Sequence, residues 1–188
     1  LERHRIPATI AMDALTAEHY PYLVRHCLQR GCEIMAHGMS VTQMITSRMS
    51  EQEEITYIRT SIEAITRATG KAPQGWLSPE YGESARTPQL LAQAGIRYVC
   101  DWSNDEQPYR MTTAQGSLFS LPMLLDLDDI QAMWDRRVPI DRYSQLLQEG
   151  FEILYRDGAQ NGRLLVLNLH PWLSGQPFRI GFLDATLG

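Results

Sequence analysis

The sequence predicts an α/β fold on a parallel sheet, from three observations. Short apolar, partly β-branched runs alternate with amphipathic stretches along the chain, the pattern of repeated strand–helix units. Two of these runs stop at a histidine, Glu33-Ile-Met-Ala-His37-Gly and Leu164-Leu-Val-Leu-Asn-Leu-His170-Pro-Trp172. The chain has 188 residues with 44% hydrophobic content, enough to bury one sizeable core in a single domain. Five or six strands suit an incomplete barrel at least as well as an open sheet.

Taken in order, Leu1 to His4 reads as the last turn of a helix and Ile6–Met12 as a strand, with Pro7 near its start where a missing N–H does least harm. Residues 17–30 carry Tyr20, Leu23, Val24, Cys27 and Leu28 on one stripe, a helix that Gly31 stops. Glu33–Ala36 is the next strand. Ser50-Glu-Gln-Glu53 is a capping box, and its helix, lined by Ile55, Ile58, Ile62 and Ile65, ends at Gly70. Gly75–Pro79 is a short strand, and Thr87-Pro88 opens a helix that Gly95 closes. Ile96–Cys100 and Leu118–Pro122 read as strands, residues 142–157 as a helix, and 164–169 as the final strand. Phe182 to Gly188 looks like a helix just beginning, so the expected domain, 1–188, lacks a first strand and C-terminal elements.

Composition narrows the function. A net charge of −5 and scattered Arg and Lys argue against nucleic acid, which needs a clustered basic face. No apolar run approaches the roughly 20 residues of a membrane span, and the stretch Leu1-Glu-Arg-His-Arg5 is not the apolar core of a signal peptide. Cys27, Cys32 and Cys100 are odd in number and lack metal spacing, which fits reduced thiols and a cytoplasmic protein.

Ligands sit at the C-terminal ends of parallel strands, so His37 and His170 are expected on one rim. One such histidine alone is more often a hydrogen-bonded structural residue; two shift the balance. Trp172 is either a stacking platform or a shield over the cavity mouth. Asp101 and Asp105 follow a strand and could orient a catalytic histidine or form an Asx turn, and Glu80 has the same ambiguity. The run Asp126-Leu-Asp-Asp129 reads as solvated loop, with one carboxylate facing the pocket as the lesser alternative. No GxSxG elbow, glycine-rich phosphate loop or HExxH is present, which removes serine and nucleotide chemistry.

The order of motifs resembles the polysaccharide deacetylase (NodB-homology, carbohydrate esterase 4) family. It is carried by Ile6-Pro-Ala-Thr9, Gly31 to Gly38, Gly75 to Pro79, Cys100 to Asp105 with Pro108-Tyr109, and Leu167-Asn-Leu-His170-Pro. The branch with allantoinase-like and cyclic-imide-hydrolase-like proteins is the nearer match. The resemblance implies a distorted (β/α) barrel and hydrolysis of an amide-type C–N bond. His37 matches the family's first motif histidine and His170 its late one. In metal-dependent members a second histidine lies four residues on; here that position is Val41, and the acidic first-strand motif would precede Leu1. Zinc or another divalent metal is therefore expected only if segments outside this chain supply ligands.

The resulting expectation is a hydrolase of a small amide, ureide or amino-sugar substrate. His37, His170 and Asp101 are its catalytic candidates; Trp76, Glu80, Trp102, Asp105 and Trp172 would face substrate. The alternatives are a metal-dependent N-deacetylase of an amino sugar and a non-catalytic member that binds a ligand or partner. An exposed sheet edge would be covered by self-association into a homo-oligomer.

Overall fold

The computed structural model describes residues 1–188. The chain groups into two compact units: a sheet unit, Pro7–Trp102 with Tyr109–Leu121, and a helical unit, Leu1–Ile6, Ser103–Pro108 and Pro122–Gly188.

The sheet unit holds six strands: β1 Thr9–Met12, β2 Glu33–Ala36, β3 Gly75–Trp76, β4 Tyr98–Val99, β5 Tyr109–Met111 and β6 Leu118–Ser120. Their order is β1-β2-β3-β4-β6-β5, an open sheet with every neighbouring pair parallel except β5 against β6. The register β1 to β2 runs from Thr9 opposite Glu33 to Met12 opposite Ala36. The parallel α/β reading therefore stands. The antiparallel edge strand β5 is an addition, because Tyr109-Arg110-Met111 is too short for its alternation to read as a strand.

The single helix expected over 17–30 is two, α1 Ala14–His19 and α2 Pro21–Gln29. Pro21 has no N–H to continue the first ladder and starts the second helix at its first position, with Tyr20 bent out of helical geometry between them. Asp13 caps α1 by accepting from Thr16 N at 3.0 Å. Helix α3, Glu51–Thr69, has the expected capping box, and Gly70 closes it in the left-handed conformation. Helix α4 is Thr87–Gln93. The core joins Val24, Ile34, Ile58, Ile65, Trp76, Leu91, Val99 and Leu118 from helices and strands. Gly75 is required by close approach: a Cβ there would lie 2.1 Å from Tyr98 Cζ.

The helical unit is built from a π-helical turn, Ile130–Asp135, and two helices, α5 Ile140–Asp157 and α6 Ile180–Thr186, around Leu127, Met133, Tyr143, Leu147, Leu173 and Leu183. The strand expected at 164–169 is not formed. Leu165, Leu167 and Leu169 do point one way and pack on this core, but no ladder pairs the segment; Asn168 O accepts from Asp129 N instead, at 3.3 Å. The alternation is thus satisfied by side-chain burial without sheet pairing.

Candidate functional site: a carboxylate and histidine dyad

In the sheet unit the C-terminal strand ends gather polar groups, as parallel topology dictates. Asp13 follows β1, His37 follows β2, Ser78 lies beyond β3 and Asp101 beyond β4. His37 Nδ1 lies 2.6 Å from Leu77 O; a carbonyl only accepts, so Nδ1 carries the proton and Nε2 is the basic nitrogen. Asp101 Oδ1 accepts from Ser78 N at 2.7 Å, and Ser78 Oγ accepts from Trp76 Nε1 at 2.7 Å. His37 and Asp101 are thus held by adjacent residues of one loop, Leu77 and Ser78.

Beside Asp101 lies Glu83, which the sequence reading did not single out. Neither of its buried oxygens, nor Asp101 Oδ2, has a hydrogen-bond partner of regular geometry. Two carboxylates cannot bond to each other, whereas an acid can donate to a carboxylate. Burial first, then the neighbouring Asp101, push the Glu83 carboxyl up to about 9, so Glu83 holds a proton at neutral pH. Burial also raises Asp101 above the ordinary carboxylate range. The loop carrying Glu83 is anchored by wholly buried Glu54, which accepts from Ser84 Oγ at 2.8 Å, Thr87 Oγ1 at 2.5 Å and Arg86 Nη2 at 3.1 Å. Cys100 is pushed up to about 12 by burial and the charge of Asp101, so it is an inert core thiol.

In the helical unit His170 meets a buried carboxylate. Asp129, 0% exposed, accepts from His170 Nδ1 at 2.6 Å on Oδ1, and from the His170 backbone N at 2.8 Å and the Ser174 hydroxyl on Oδ2. The residue is pinned at backbone and ring together, and its Nδ1 is fixed as the donor. Asp128, also buried, accepts from Asn168 Nδ2 at 2.6 Å and from the backbone N of Ile130 and Gln131 at 2.8 and 3.1 Å. Burial and the charges of Asp129 and Asp128 raise the Tyr143 phenol, which stays neutral and donates to Leu127 O at 2.8 Å. The solvated-loop reading of 126–129 is corrected at Asp128 and Asp129: two carboxylates inside a core must be saturated with donors, and these are.

Asp128, Asp129 and His170 offer ligand atoms within 4.8 Å of one another. The donor set nevertheless does not fit a cation. All four carboxylate oxygens already accept hydrogen bonds, from the Asn168 amide, the His170 ring, the Ser174 hydroxyl and three backbone N–H groups. In the sheet unit Val41 is an exposed aliphatic four residues beyond His37 and cannot ligate.

Trp76 is 0% exposed, a core residue whose indole N–H is occupied by Ser78, so its surface offers nothing to a ligand. Glu80 is exposed in a loop where it and Tyr81 both have positive φ, 54° and 55°. Trp102 is partly exposed. Asp105, in the helical unit, forms the Asx turn, accepting from Glu106 N at 2.8 Å and Gln107 N at 3.1 Å. Trp172 is 51% exposed with its ring centroid 6.3 Å from that of His170.

The sheet with polar groups at its strand ends defines a parallel α/β class of protein, and comparison with known proteins is more specific. The polysaccharide deacetylase family model matches residues 1–99, and the chain belongs to that family. Over 111 residues it is 31% identical to a peptidoglycan deacetylase of Helicobacter pylori, covering 57% of this chain and 36% of that protein. A probable polysaccharide deacetylase of Pseudomonas aeruginosa PAO1 superposes with a TM-score of 0.88 at 27% identity, and the Puue allantoinase with 0.87 at 26%. Each comparison covers 99% of this chain and 62% of the other. The chain thus spans about a third to two thirds of the length of these relatives. The expected family and its α/β fold are both shown. No helix is long and apolar enough to cross a membrane.

Proposed function

We propose that this protein hydrolyses a non-peptide amide-type C–N bond, with His170 as the acid that protonates the departing nitrogen. The observation that carries the reading is the Asp129–His170 dyad. A buried carboxylate on Nδ1–H leaves Nε2 as the nitrogen that exchanges protons, and its charge stabilises the imidazolium that must exist before the proton is delivered. As nitrogen leaves the carbonyl carbon it takes the Nε2 proton, and the dyad returns to neutral imidazole and carboxylate. Similarity to both a peptidoglycan deacetylase and an allantoinase supports amino-sugar amides and ureides as the substrate range. Three free cysteines suit a reducing compartment, the cytoplasm.

The test is His170→Ala in the complete protein, with amine or ammonia release followed on a cyclic ureide, a cyclic imide and an N-acetylated amino sugar. Loss of a general acid lowers kcat on the turned-over substrate by about 10²–10⁴-fold. Unchanged kcat on it removes His170 from the chemistry.

A further inference from the structure

Cys27 and Cys32 sit at the two ends of the turn that closes α2, and the proposed amide hydrolysis uses neither. The helix stops at Gln29, Arg30 caps it, and Gly31 takes the left-handed conformation at φ 70°. Gly31 N donates to Leu28 O at 3.0 Å, and Cys32 N donates to Cys27 O at 3.1 Å. These are the two bonds of a Schellman turn, in which the residue after the glycine folds back over the last turn of the helix. In an uninterrupted helix, positions five apart advance about 500° and face about 140° away from each other. The reversal at Gly31 brings them together instead.

The thiols follow their backbones. By standard bond lengths, the 3.1 Å bond from Cys32 N to Cys27 O holds the two Cα atoms within about 7 Å, and its bent path shortens this into the span that a disulfide bridges. Side-chain contact between these two positions commonly accompanies the turn. Both side chains pack on one core cluster, Cys27 as a buried member and Cys32 as a partly buried neighbour. The Cys27 thiol is raised first by burial and then by the charge of Cys32, with Arg30 offsetting part of this, so the two sulfurs sense each other. They differ in access: Cys27 is 8% exposed, whereas Cys32 keeps more of its surface in solvent.

We infer that Cys27 and Cys32 form a reversible dithiol–disulfide site, with Cys32 as the attacking thiol, Cys27 as the resolving thiol and a small disulfide of the glutathione type as co-reactant. The Cys32 thiolate attacks one sulfur of that disulfide, breaking its S–S bond and expelling a thiolate that takes up the proton Cys32 gave. Cys27 then loses its proton and attacks the Cys32 sulfur of the mixed disulfide, and the second small thiol leaves with that proton. Two protein thiols are oxidised by two electrons, and one small disulfide is reduced to two thiols. Cys100, pushed up to about 12 by burial and the charge of Asp101, takes no part. The site is independent of the amide chemistry.

The complete protein is incubated with oxidised glutathione, quenched with N-ethylmaleimide and mapped by peptide mass spectrometry. The expected product links Cys27 to Cys32, two hydrogens lighter than the reduced form, with Cys100 unbridged; dithiothreitol restores both thiols. Cys27→Ser should stop at glutathione held on Cys32, and Cys32→Ser should take up glutathione on Cys27 at least about tenfold more slowly. Circular dichroism confirms that both variants fold, and the unsubstituted protein carries the main result without them. Cys27 and Cys32 both still free after prolonged incubation, glutathione left on Cys32 of the unsubstituted protein, or a link from either to another cysteine would overturn the site. Equal uptake by the two variants would overturn the order of attack.

Discussion

Replacing Asp129 with Asn tests the dyad with a change of one atom. Asp129 receives three donors, one of them fixed in polarity: the His170 backbone N–H, at 2.8 Å, shares one oxygen with the Ser174 hydroxyl, and His170 Nδ1–H faces the other. An Asn side chain must turn an NH2 toward one side. Facing the backbone N–H it would set two donors against each other, a cost of about 1–3 kcal/mol. Facing the ring it only requires His170 to move its proton to Nε2, so that arrangement wins. Charge-assisted bonds are about twice as strong as neutral ones, so two buried bonds weakened by about 1 kcal/mol each, and the ring bond by less, give a stability loss of about 2–3 kcal/mol. The ring bond contributes least, because the His170 side chain is 32% exposed. The flipped tautomer also offers no stabilised imidazolium, so kcat falls about 10²–10⁴-fold. Urea denaturation, amide turnover and the 15N shifts of the His170 ring read these three effects. A variant with unchanged midpoint, kcat within twofold and Nδ1 still protonated would refute the reasoning.

Other expectations follow from the same contacts. Glu83 is raised when folded, so its contribution to stability is full below its unfolded value near 4.5 and is lost as pH rises toward 9. Glu83→Gln should therefore gain on the native protein as pH rises from 5 to 9, at no more than about 1.4 kcal/mol per pH unit, read as the difference in melting temperature; parallel profiles would contradict it. Leu147→Ala empties a fully packed site in the helical unit and should cost about 2–5 kcal/mol by denaturation. Gly75→Ala places a methyl into the Tyr98 ring and should destabilise by about 1–3 kcal/mol or more. Because the Asp128 and Asp129 oxygens are occupied, added zinc should leave the melting temperature unchanged; a rise of several degrees would show an ion displacing Asn168.

Where local chemistry dictates structure, the sequence was readable. Helix α3 is announced by Ser50, Glu53 and Gly70 because cap and stop act within one turn. The break between α1 and α2 was equally local, yet the apolar stripe from Tyr20 to Leu28 obscured what Pro21 does to a ladder. The run before His170 shows the limit of alternation: it reports a buried face, and a core of helices can provide one as well as a sheet. His170 was visible as the end of that run, whereas its orienting partner was not. Asp129 lies 41 residues earlier in an acidic cluster typical of solvated loop, and only the fold brings its oxygens to the ring. Glu83 was hidden for the same reason, since a carboxyl's protonation depends on burial and on Asp101 across a loop.

The most direct measurement compares leaving groups. If His170 delivers the proton to departing nitrogen, His170→Ala should lose about 10²–10⁴-fold on an unactivated amide and far less on an analogue whose amine leaves unaided, such as a nitroanilide. Equal losses on both substrates would contradict proton donation and make His170 a binding or structural residue.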